Sequence, residues 1–180
     1  MKELNYHIAC KANREDSCTG HFWESRFKSQ ALLDEKALAA AMAYVDLNPV
    51  RSGIASKPET SEYTSIKTRI SALKQSCLAP SYLYPLIGDR RNNQLEGIPF
   101  HLIEYIELVD WTSRQLRQGK AHLDGSLPPI LCRLDIGCEC WLKVCRKLEK
   151  PRATAVGTRA KALKAKLSLH KQKIQLYLLE

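Results

Sequence analysis

The chain has 180 residues, 44% of them hydrophobic, enough for a real core and too many for wholesale disorder. No apolar run approaches a membrane span, and Met1–Ile8 lacks the basic-then-apolar pattern of a signal peptide. The seven cysteines, odd in number and scattered, read as reduced thiols in a cytoplasmic protein. The net charge of +9 is localised: residues 141–180 carry 11 Lys and Arg against 2 acidic residues, whereas residues 1–140 are balanced. A basic segment of this kind suits a polyanion such as nucleic acid, or else is the solvated face of a helix.

Residues 2–14 place Leu4, Ile8 and the stretch from Cys10 to Ala12 at helical spacing, and the segment from Ser17 to Gly20 reads as a turn. Residues 21–33 alternate as a strand, with Trp23 and Phe27 on one face and Glu24, Arg26 and Lys28 on the other. Asp34 is a good N-cap for an alanine-rich helix running from Glu35 through Leu38, Ala41, Met42 and Val45. Tyr44 and Asn48 lie four residues apart on one face of that helix, which Pro49 and Gly53 bring to an end. A loop through Pro58 precedes a helix over Ser65–Lys74. Residues 76–100, with Pro80, Pro85, Gly88, Asn92-Asn93, Gly97 and Pro99, read as a linker or long surface loop.

Three helical segments follow. Residues 100–118 carry Leu102, Ile106, Val109 and Leu116 on one side, and residues 129–149 carry Ile130, Leu134, Trp141, Leu142, Val144 and Leu148. Residues 158–179 set Leu163, Leu167, His170, Ile174 and Leu178 on one stripe, with Lys161, Lys164, Lys166, Lys171 and Lys173 around it. Cys132, Cys138, Cys140 and Cys145 invite a zinc reading, but their spacing is not that of Cys-x2-Cys knuckles and the segment has helical periodicity. Scattered thiols in a relaxed sequence are the better account. The expected class is mainly α with one or two strands. The expected units are residues 1–75, a linker over 76–100, and a helical, basic region over 101–180.

Two ordered motifs carry a resemblance. Gly20-His-Phe-Trp-Glu-Ser-Arg-Phe-Lys28, then Ala43-Tyr-Val-Asp-Leu-Asn-Pro-Val-Arg-Ser-Gly53, resemble the second half of the single-tyrosine transposases related to the REP-associated ones, in the HUH superfamily. The likeness covers about residues 2–70. Glu107-Leu-Val-Asp-Trp111 is similar, more weakly, to the helical extension of a longer subgroup. The resemblance implies a remnant of an α+β ferredoxin-like nuclease domain followed by a helical region, with single-stranded or hairpin DNA as partner. It implies DNA cleavage and rejoining through a phosphotyrosine intermediate, with Tyr44 as the nucleophile. It also implies Mg2+ or Mn2+, held by a His-x-His pair and by Asn48 as third ligand.

The chemistry agrees with those residue types. A phenol ionising near pH ~10 is a reluctant nucleophile without help, and an amide oxygen is a hard ligand that suits magnesium. But His7, His21, His101, His122 and His170 include no His-x-His pair. The expectation is therefore a truncated relative, inactive alone, that binds no metal stably; the alternative is a non-catalytic nucleic-acid-binding helical module. Arg26, Lys28 and Arg51 are expected to meet phosphates near Tyr44, and Lys161, Lys164 and Lys171 to grip the backbone elsewhere. Phe22 and Trp23 are candidates for base stacking, although strand spacing favours a core position for Trp23.

Overall fold

The computed structural model of the protein describes residues 1–25, 28–77, 79–87, 97–117, 127–148, 153–168 and 175–179. These form eight α-helices and five short strands: α1 (Lys2–Glu15), β1 (Ala31–Leu32), α2 (Glu35–Asp46), α3 (Asn48–Arg51), α4 (Ser65–Lys74), β2 (Leu86–Ile87), β3 (Ile98–His101), α5 (Leu102–Arg117), α6 (Pro129–Arg133), α7 (Cys138–Lys147), β4 (Ala155–Gly157), α8 (Arg159–Ser168) and β5 (Leu176–Leu178). The class is mainly helical.

α2 is the centre of the packing. Its N-cap Asp34 accepts from the Ala37 N–H at 2.9 Å and, through its second oxygen, from the Thr158 N–H at 2.8 Å. One carboxylate thus starts α2 and ties it to the end of β4, satisfying orphan donors at both places. Ala37, Ala39, Ala40 and Ala43 are fully buried. Side chains this small let α7 approach the α2 backbone closely. The facing layer is large: Tyr105, Leu108, Val109 and Trp111 from α5, and Trp141, Leu142 and Val144 from α7, all in one cluster with the α2 alanines. Trp141 is fully buried and donates its indole N–H to the Thr112 hydroxyl at 2.9 Å, which donates in turn to the Leu108 carbonyl.

The strands pair in parallel, in the order β1-β4-β5 and, separately, β2-β3. Residues 76–100 contribute β2 and β3, and their Leu86 and Phe100 lie buried in the same cluster as Ala40 and Trp141.

Four expectations need correction. Among the described residues of the strand predicted over 21–33, only Ala31–Leu32 is a strand; residues 22–25 are bends, and Trp23 is 44% exposed, not core. Alternation before Ala31 marks an irregular segment, and only Ala31–Leu32 finds a partner, in β4. The helix predicted over 129–149 is two, because Asp135 takes a left-handed φ of 49° and Gly137 restarts the chain as an N-cap. Of the helix predicted over 158–179, Arg159–Ser168 is helical with Leu163 70% exposed, Leu176–Leu178 is a strand instead, and His170 and Ile174 lie outside the described residues. Among the described residues five strands stand where one or two were expected; at two to four residues each, they are too short to carry an alternating pattern.

Candidate functional site

α2 ends at Asp46 and α3 begins at Asn48, but the path hardly deviates between them. Leu47 keeps right-handed dihedrals, its N–H bonds to the Ala43 carbonyl, and the Arg51 N–H bonds to the Leu47 carbonyl, both at 2.9 Å. Pro49 falls in the first turn of α3, where its missing N–H costs nothing. Gly53 at φ 75° then closes the run, with its own N–H on the Val50 carbonyl and the Ile54 N–H on the Pro49 carbonyl. That double bond pattern is a Schellman cap, which needs a residue tolerant of positive φ.

Continuity of the path puts Tyr44, Asn48 and Arg51 on one face, at intervals of four and three. Arg51 binds the other two together: its Nη2 donates to Tyr44 Oη at 2.6 Å and to Asn48 Oδ1 at 2.6 Å, and its guanidinium lies 4.0 Å from the centre of the Tyr44 ring. Nη1 donates at 3.2 Å to the carbonyl of Arg146, in the last turn of α7, where helical carbonyls lack partners. Tyr44 is 6% exposed and belongs to the core, Arg51 is half-buried, and Asn48 faces solvent. The cluster therefore grades from core to surface across one turn of helix.

Between Tyr44 and Asn48, Asp46 points the other way. It is 1% exposed and accepts from the Ser65 hydroxyl at 3.0 Å, the Ile66 N–H at 3.1 Å and the Tyr105 hydroxyl at 2.7 Å. A carboxylate at the first turn of α4 is favoured by the exposed N–H groups there. Burial, then the Asp46 charge, holds the Tyr105 phenol well above its ordinary ionisation range. Sequence reasoning missed this residue. Its partners lie 19 to 59 positions away, so nothing local marks it.

The other expected site residues do not gather round Tyr44. Lys28 is exposed on an irregular segment, and Lys161 and Lys164 are exposed on α8. Arg26 and Lys171 lie outside the described residues. A groove of about 520 Å3 opens beside the start of α4, lined by residues including Tyr63, Lys67 and Tyr82, and none of the expected site residues reaches it.

The residues present do not fit a divalent cation. The Asn48 oxygen expected as a ligand already accepts from Arg51, and a metal ion there would stand against a guanidinium charge. Among the described residues no group of three or more His, Cys, Asp or Glu converges on one point. All seven cysteines are unpaired thiols, and burial pushes the Cys145 thiol far up. Among the described residues, no helix is long and apolar enough to cross a membrane. No family model, curated protein or solved structure matches the chain.

Proposed function

We propose that the protein is a DNA-binding member of the single-tyrosine transposase lineage, its helical body derived from a ferredoxin-like nuclease domain, which holds DNA without cutting it. The reading is carried by one observation: Tyr44 and Asn48, the nucleophile and third ligand that the resemblance assigns, are brought to one helical face and bonded there to Arg51. Tyr44 is buried and so poorly placed to meet an incoming strand, and the sequence contains no His-x-His pair to polarise a scissile phosphate. Without that polarisation several kcal/mol of transition-state stabilisation is missing, or about a thousandfold in rate. Binding, by contrast, needs only cations, and exposed Lys161 and Lys164 on α8 are part of the excess charge of residues 141–180.

The test uses hairpin-ended single-stranded oligonucleotides with Mn2+, followed by a denaturing gel and a salt titration of binding. The expected outcome is no covalent adduct, with affinity that falls steeply as salt rises. An adduct that disappears in Tyr44→Phe would overturn the non-cutting part. Affinity indifferent to salt would overturn the binding part.

A further inference from the structure

We infer that Arg51 is the resident cation of the Tyr44–Asn48 site: its guanidinium occupies the Asn48 oxygen that the resemblance assigns to a divalent ion, and a backbone phosphate of single-stranded DNA docks on it without metal. This rests on the DNA-binding reading above and assigns that reading a point of contact. Three observations converge. The guanidinium is held on three oxygens, Tyr44 Oη, Asn48 Oδ1 and the Arg146 carbonyl, with the Tyr44 ring beneath it. Those bonds use three of the five N–H donors that an arginine carries, and Nε–H and the second Nη1–H have no partner among the described residues. Finally, Asn48 and the Arg146 side chain are both exposed, so the site meets solvent where Arg51 reaches it.

The arrangement favours an anion over a cation for physical reasons. All three acceptors are neutral, so they position the positive charge of Arg51 without cancelling it. Asp46, the nearest acid in sequence, spends its charge inside the fold on Ser65, Ile66 and Tyr105. An arginine already fixed by ring and oxygens loses little further side-chain freedom when phosphate arrives, and its planar donors suit phosphate oxygens. Arg146 and Lys147, in the last turn of α7, add positive charge along the same edge.

The experiment follows the Asn48 side-chain amide and Tyr44 ring signals of isotope-labelled full-length protein by NMR. Mn2+ is titrated first, then a short oligothymidylate with Mn2+ or with EDTA. The expected result is that Mn2+ leaves both signals sharp and the oligothymidylate shifts both, equally in Mn2+ and in EDTA. Arg51→Lys, which keeps the charge but not the three-way fit, weakens binding about tenfold; Arg51→Gln weakens it further and lowers the salt slope by about one phosphate. Broadening of Asn48 by Mn2+ in the unaltered protein overturns the inference and leaves the DNA-binding reading standing, as does oligothymidylate binding with both signals unmoved. No affinity for oligothymidylate even at low salt overturns both. Should the substitutions prevent folding, the unaltered protein decides alone.

Discussion

α1 and α2 are helices of 14 and 12 residues with opposite fates. α2 buries six residues and is tied down at both ends, by Asp34 to the β4–α8 junction and by Asp46 to α4 and α5. α1 buries none; its Leu4, Tyr6 and Ile8 are exposed, and its side-chain ties to the following segment include Trp23 Nε1 on the Asn5 carbonyl and Asn13 Nδ2 on the Gly20 carbonyl. Apolar periodicity writes both helices equally well. What separates them is whether another element covers the apolar side, and that depends on residues far away in the chain. The candidate site belongs wholly to the covered helix, so its geometry is set by the core.

The comparison breaks most readily at Asp46. Asp46→Ala strands the Ser65 hydroxyl, the Ile66 N–H and the buried Tyr105 hydroxyl, and the expected loss is about 4 kcal/mol, read as a lower midpoint of urea unfolding. A loss below about 1 kcal/mol would mean that α2 is not anchored through this carboxylate.

Alkali probes the same core without mutation. Tyr105 on α5 and Cys145 on α7 lie buried, and burial raises both above their ordinary values of 10.0 and 9.0. Each therefore keeps its proton in the folded state after the unfolded chain has released it. Stability from these groups is complete below pH 9 and falls as pH rises, first through Cys145 and then, above pH 10, through Tyr105. The expected slope is about 1 kcal/mol per pH unit for each group, and Cys145→Ala should remove the earlier fall. Flat stability from pH 9 to 11 would contradict the packing of α5 and α7 on α2.

A smaller effect is expected at the other end of α2. Gly157 sits at φ 149°, and a Cβ there would come within 2.9 Å of both Asp34 Oδ2 and Leu33 Cβ. Gly157→Ala should cost about 2 kcal/mol through strain and displacement of the α2 cap, measurable as a drop in Tm. An unchanged Tm would show that this junction yields.

Local physics accounts for what could be read in advance. The Asp34 cap, the span of α4 and the stop at Gly53 depend on neighbours within a few residues, and each stands as the sequence implies. Tyr44 and Asn48 share a face because i and i+4 always do on an unbroken helical path. The bond from Arg51 to the Arg146 carbonyl spans 95 positions, and the Asp46–Tyr105 bond 59, so no pattern announces either. Arg51 itself stood out as a cation near Tyr44. That it would occupy the Asn48 oxygen follows only from the folded path through Leu47.

The exposed helix gives the smallest and most discriminating prediction. Of the three tryptophans, Trp111 and Trp141 are buried and Trp23 is 44% exposed. Iodide should therefore quench Trp23 emission selectively, and Trp23→Phe should remove the quenchable fraction. The substitution also deletes the bond to the Asn5 carbonyl, but in water that exchange is nearly even, so the expected stability change is within about 0.5 kcal/mol. Backbone amides of α1 should exchange with solvent far faster than those of α2, since opening α1 exposes no core side chain. A loss above about 1 kcal/mol in Trp23→Phe, together with slow exchange in α1, would mean that α1 unfolds only with the core, and the contrast between the two helices would then fail.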